Sequence, residues 1–213
     1  MSSIVVAGDT SGSVTLSAPA VAGGSVLTLP VATDTLVGKA TTDVLTNKTL
    51  TSPVINGMGS SILTSGTAQA STSGTAIDFT GIPSWVKRVT VMFDGVSTNG
   101  TSLVCIQLGD SGGLETTGYN GGGTNQSPAY VANTVGYNLM GAFTAASAIM
   151  GHAVLTNISG TTWVLSAGVQ LSVGNMAAAG GSKTLSGVLD QIRITTVIGT
   201  NTFDAGSINI MYE

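Results

Sequence analysis

Charge is scarce in this sequence: of 213 residues only 8% are Asp, Glu, Lys or Arg, against roughly a quarter in an ordinary globular chain. The six cations, Lys39, Lys48, Lys87, Arg88, Lys183 and Arg193, form no cluster beyond Lys87-Arg88, and the net charge is −4. Neutralising phosphates takes a basic stripe, so no nucleic-acid partner is expected. Cysteine and histidine occur once each, as Cys105 and His152. One cysteine forms no intrachain disulfide, and one of each excludes the usual zinc sites. Set in the apolar run Leu103-Val104-Cys105-Ile106-Gln107-Leu108, Cys105 reads as a small buried hydrophobe. No run approaches the ~20 apolar residues that span a bilayer, and Met1 to Asp9 lack the basic start and long apolar core of a secretory signal. The expectation is a chain made in a cytoplasm, without membrane insertion, metal or cofactor, and soluble there until it is assembled into something larger.

Apolar residues, by contrast, are plentiful, at 42%, and 30 glycines accompany abundant Ser and Thr. Disorder goes with low hydrophobicity and high charge, so a packed all-β protein with an uncharged surface is expected. Residues 1–60 contain no aromatic side chain and return to one phrase: Ser13-Val14-Thr15-Leu16-Ser17, Ser25-Val26-Leu27-Thr28-Leu29-Pro30, Thr35-Leu36-Val37 and Thr49-Leu50-Thr51-Ser52-Pro53. Runs this short cannot bury a core alone, so neighbours must come from elsewhere in the chain or from other copies of it. Within this stretch Thr41–Lys48 could start a single helical turn. Residues 61–75, rich in Gly, Ser and Thr, read as a linker.

From residue 76 to 213 the pattern is that of an antiparallel β-sandwich of about seven strands, jelly-roll-like in outline. Ile77 and Phe79 alternate with Asp78, and Val89, Val91 and Phe93 alternate with Thr90 and Met92. Asn99-Gly100 predicts a hairpin over 86–108. Further strands are expected at Thr134–Met140, Ala153–Asn157, Thr162–Val173, Thr184–Thr196 and Ser207–Tyr212. The Gly-rich stretch Thr116–Ala129 stands apart as a long loop.

Residues 109–113 read Gly-Asp-Ser-Gly-Gly, which resembles the surroundings of the nucleophilic serine in chymotrypsin-like proteases. A serine nucleophile needs a base and a group to orient that base. The one candidate base, His152, follows Ser111, whereas that family runs His, Asp, Ser. The other reading is a turn that ends the strand before it, with glycines for its positive-φ positions and Asp110 as a side-chain cap.

Thr41-Thr42-Asp43-Val44-Leu45-Thr46-Asn47-Lys48-Thr49-Leu50-Thr51-Ser52-Pro53-Val54-Ile55-Asn56-Gly57 closely resembles a phrase that recurs in bacteriophage tail fibres and related virion proteins. Thr75–Arg88 and Asn201–Glu213 are similar to the opening and close of a C-terminal β domain found in phage tail proteins. The resemblance implies a homotrimeric structural protein located in the virion. Its N-terminal residues, 1–60, would attach to other tail or capsid proteins and form a thin shaft, and a distal β-sandwich knob would follow. At 213 residues there is little room for a shaft, which leaves a short tail fibre and a head fibre or capsid ornament both open.

If such a knob reads a host surface glycan, the exposed aromatic and amide residues of the Gly-rich loop are the candidates: Tyr119, Asn120, Asn125, Gln126 and Tyr130. The same loop could instead pack at a trimer apex or remain disordered. A polysaccharide depolymerase would need paired carboxylates in a groove, and the ten acids are scattered, mostly in or beside turns, so no catalytic residue is nominated.

Overall fold

The computed structural model describes residues 3–8, 10–17, 20–21, 24, 26, 49, 63–125, 130–172 and 174–213. The chain divides into two compact units, Met1–Pro53 and Val54–Glu213. In the first, strands β1 (Ser3–Ala7) and β2 (Ser13–Ser17) form an antiparallel ribbon, with Ser3 opposite Ser17 and Ala7 opposite Ser13. Ile4, Val5 and Val6 are 66%, 60% and 56% exposed, so successive residues, which point to opposite faces, are all open to solvent. The runs expected at 25–30, 35–37 and 49–53 and the helical turn at 41–48 fall outside the described residues, except for Val26 and Thr49.

The second unit is all β among the described residues, with fourteen strands in two antiparallel sheets. The larger sheet runs β10 (Val131–Asn133), β9 (Asn120–Asn125), β14 (Asn175–Thr184), β13 (Thr162–Leu171), β12 (Ile149–Ser159), β6 (Arg88–Thr98) and β16 (Phe203–Tyr212). The short strands β3 (Thr64–Ser65) and β4 (Gln69–Ala70) share the outer edge of β16. The smaller sheet runs β11 (Tyr137–Asn138), β7 (Val104–Asp110), β15 (Gln191–Thr196) and β5 (Ala76–Thr80), with β8 (Gly113–Leu114) folded back on β7.

The alternation read in the sequence builds the interior. Val89, Val91 and Phe93 of β6, Ile208 and Ile210 of β16, and Leu155 of β12 face Ile77 and Phe79 of β5, Ile106 and Leu108 of β7, and Ile192 and Ile194 of β15 in one apolar cluster. Gly95 (φ 64) and Gly206 (φ 92) lie together in a double bulge of β6 and β16. A Cβ on Gly206 would stand 2.5 Å from the Gly95 carbonyl. The extra residue resets the pleat, so that Val96 and Thr98 return to the interior. Thr98 brings a hydroxyl inside that finds no partner, as does Thr196. A buried, unpaired hydroxyl costs free energy, so Thr98→Val is expected to stabilise the chain by about 0.5–1 kcal/mol, read as a higher thermal midpoint.

Four expectations are corrected. The 86–108 hairpin does not form: β6 lies in the larger sheet and β7 in the smaller. The Asn99-Gly100 signal is overridden by residues 201–202, because Asn99 donates its N–H to the Thr202 carbonyl and accepts the Thr202 N–H on its side-chain oxygen. Gly100 consequently lacks the positive φ of a tight primed turn. Second, the 116–129 loop contains a strand, β9, and its partner β14 was equally unexpected. Third, Thr134–Met140 contains only the two-residue strand β11, after β10 has ended at Asn133, and Thr184–Thr196 is interrupted where the chain crosses between sheets. Fourth, the 61–75 linker supplies β3 and β4.

The outer side of β7, apolar enough to suggest a neighbouring subunit, is covered from within the chain. Gln107 donates its amide to the Val135 carbonyl at 2.9 Å, and Gly136 lies against Cys105. Cys105 is fully buried, as expected, and burial pushes its thiol up to about 12.

On the opposite flank, β5 is an edge strand whose outward Asp78 carbonyl accepts the Gln69 side-chain amide at 2.6 Å. The Asp78 carboxylate takes a two-pronged hydrogen bond from Arg193, both contacts 2.7 Å, the planar fit that guanidinium and carboxylate favour. Arg193 is raised by that pairing, which outweighs its partial burial.

Candidate functional site

Ser111 and Gly112 are the two loop residues of the β7–β8 hairpin, in which Asp110 is opposite Gly113. Asp110 closes the turn by accepting the Gly112 N–H at 2.8 Å, as the turn reading of this motif expected. Ser111 is exposed there. His152 lies on β12 in the other sheet, directly opposite Met92 and Gly168, and its side chain is also exposed. No hydrogen bond joins the two. Ser111→Ala is expected to leave the stability within ~0.5 kcal/mol of the parent, read as an unchanged thermal midpoint, and a hydrolytic activity lost in that variant would overturn the turn reading.

The chemistry around this turn belongs instead to a polar clasp between the sheets. Lys183, on the inner side of β14, is 7% exposed, and its ammonium meets Glu115 Oε2 at 2.5 Å. The same ammonium lies 5.3 Å from the centre of the Tyr119 ring, within cation–π range. Glu115 Oε1 accepts the Ser186 N–H at 2.6 Å, while the Ser186 hydroxyl donates to Asp110 Oδ2 at 2.7 Å. Burial pushes the Glu115 carboxyl up, but the Lys183 contact and the Ser186 N–H outweigh it and hold the group below its ordinary range. The Ser186 hydroxyl and the Gly112 N–H lower Asp110 likewise. Ser186 sits where the chain passes from β14 to β15, so the clasp fixes one crossover between sheets. Both carboxylates in it accept hydrogen bonds on each of their oxygens.

Of the five residues expected to read a receptor, the four that are described are dispersed. Tyr119 is 3% exposed. Its hydroxyl accepts the Leu108 N–H at 2.6 Å and donates to the Glu115 carbonyl at 2.9 Å, and its ring meets Tyr137 edge-on with centroids 5.0 Å apart. A phenol so placed is a core residue with a satisfied polar tip. Asn125 is committed to the fold as well: its side-chain oxygen accepts the N–H groups of Gly141 and Ala142, and its amide donates to the Ala142 carbonyl. Asn120 and Tyr130 remain on the surface, Tyr130 at 63% exposure with its ring over Gly122. Gln126 lies outside the described residues.

Shallow grooves mark the surface formed by the described residues. One of about 260 Å³ lies along the β5 edge, between Gln69, Thr80 and Tyr212. Another, of about 360 Å³, crosses the outer side of the smaller sheet between Gln107, Arg193 and Ile198. Two more, of about 300 and 280 Å³, adjoin on the outer side of the larger sheet and share Thr124 and Ala178. Neither sequence alternation nor a motif marked this last pair. The signal that could have is glycine in mid-strand.

Fold and surface together define a class, an antiparallel two-sheet all-β domain joined to a separate N-terminal unit. Comparison with protein-family models, curated proteins and solved structures finds no match to this chain.

Proposed function

We propose that this chain is a structural protein of a bacteriophage virion, a short homotrimeric tail fibre. Its N-terminal unit would attach to the particle, and its C-terminal β domain would face the host surface in adsorption. The observation that carries the reading is the β1–β2 ribbon. A two-stranded ribbon is marginal at best in water, and this one leaves Ile4, Val5 and Val6 more than half exposed on both faces. Packing among copies around an axis would cover both faces at once and hide the ribbon's edges. The resemblance of residues 41–57 to the fibre phrase supports the same reading, as does the scarcity of charge. Adsorption through several copies would let each knob bind weakly while the particle holds firmly.

Light scattering on the purified full chain tests the copy number. A three-chain mass is expected, and a one-chain mass would remove the physical argument. A head fibre or capsid ornament rests on the same chemistry, and gold labelling of whole particles separates the two, with label at the tail expected.

A further inference from the structure

On the outer side of the larger sheet, Gly168 of β13 and Gly180 of β14 sit in mid-strand without a reason inside the chain. Neither has a left-handed φ. A Cβ on Gly168 would meet nothing within 4 Å, and one on Gly180 would make only an ordinary contact at 3.6 Å. Mid-strand glycine weakens a sheet and marks places where another backbone or a ligand comes close. The inner-side glycines of the same strands are accounted for: Gly123 lies under the Met140 backbone, and Gly121 and Gly181 lie against each other and Tyr137.

The surroundings agree. The two adjoining grooves form one trough, floored by Gly168, Ala178 and Gly180 and bordered by Met176 (50% exposed) and Tyr130. Lys183 is the only Asp, Glu, Lys or Arg on β9, β12, β13 and β14, and it points inward; the one titratable side chain on the outer side is the exposed His152, opposite Gly168. Strands of six, ten, ten and eleven residues at ~4.8 Å spacing and ~3.4 Å per residue give a plan of roughly 600 Å², three quarters of the ~800 Å² per partner of a standard interface.

We infer that this outer side of the β9–β14–β13–β12 sheet packs against a second copy of the chain. The inference rests on the multi-copy reading proposed above and adds the surface that carries it. A partner of strong charge finds no carboxylate, ammonium or guanidinium on these strands' outer side. The uncharged sheet of a neighbouring copy does match, because the protrusions of one copy, Met176 and Tyr130, can enter the hollows over Gly168 and Gly180 of the next, a head-to-tail contact that closes into a ring. The exposed ribbon of the N-terminal unit separately calls for copies, so copies would be present without a further partner.

Thiol labelling of Ala178→Cys tests the assignment. Cys105 is buried and its thiol is held protonated, so the background is silent. Thr80→Cys, exposed on the smaller sheet, is the control. At a concentration where light scattering gives a multi-chain mass, maleimide should react with Ala178→Cys at least tenfold more slowly than with the control, and dilution to one-chain mass should restore the rate. Equal rates at multi-chain mass would overturn the assigned surface and leave the copy number standing. A one-chain mass with rapid labelling would overturn both. Slow labelling at one-chain mass would mean that something other than a copy fills the trough, and would also overturn the assignment.

Discussion

Lys183→Met is expected to destabilise the C-terminal unit by about 3 kcal/mol, the scale for removing one partner of a buried ion pair. The loss comes less from the missing attraction than from what is left behind. Glu115 would keep a half-buried carboxylate, still bonded to the Ser186 N–H, with its counter-charge gone. Glu115→Gln should cost less, because Lys183 retains the face of Tyr119. The double variant should recover much of the stability lost in Lys183→Met, since an apolar replacement of a whole pair is often near neutral. Urea unfolding of the four proteins closes the cycle, and additive losses would mean that the two residues do not act as a pair.

The same clasp sets an acid limit. Glu115 and Asp110 are both held below the ordinary carboxylate range in the folded chain. Their stabilisation is therefore whole above the ordinary carboxylate pKa and is lost as pH falls through the folded values. Thermal midpoints of the parent should fall below about pH 4, and Lys183→Met should show a shallower fall.

Gly123→Ala carries the second large effect. Its Cβ would stand 2.7–2.8 Å from the N, C and O atoms of Met140, and backbone cannot rotate aside as a side chain does. Lifting residues 137–142 off β9 would also strain the Asn125 contacts to Gly141 and Ala142. A loss of about 3 kcal/mol is expected, at the upper end for overpacking, with a broadened near-ultraviolet transition as Tyr137 loosens. Asn125→Ala should move stability the same way by about 1–2 kcal/mol. A Gly123→Ala chain that melts with the parent would show that the crossing segment shifts freely.

These strands explain where sequence reasoning succeeded and failed. Val89, Val91, Phe93, Ile208 and Ile210 were legible because their size alternates with exposure. The Gly-Asp-Ser-Gly-Gly turn was legible because Asp110 caps it locally. β9 and β14 were not, since most of their inner positions (Gly121, Gly123, Ala177, Ala179 and Gly181) are glycine and alanine, made small by the chain pressed onto them, and small residues resemble a linker. Tyr119 was misplaced for a related reason: nothing nearby in sequence announces the Leu108 N–H that satisfies its hydroxyl. The Asn99-Gly100 hairpin failed because its partner, Thr202, is a hundred residues away. The candidate site suffered most, because both its loss at Tyr119 and Asn125 and the surface proposed over Gly168 and Gly180 depend on which side of a sheet a residue faces.

The β5 edge has a consequence for solubility. Its outward Asp78 carbonyl is already taken by the Gln69 amide, and the strand's centre carries the Asp78–Arg193 charge pair. Such an edge is a poor template for a foreign strand. Strand-to-strand stitching between chains, the route to open-ended precipitation during high-level synthesis, is resisted at this flank.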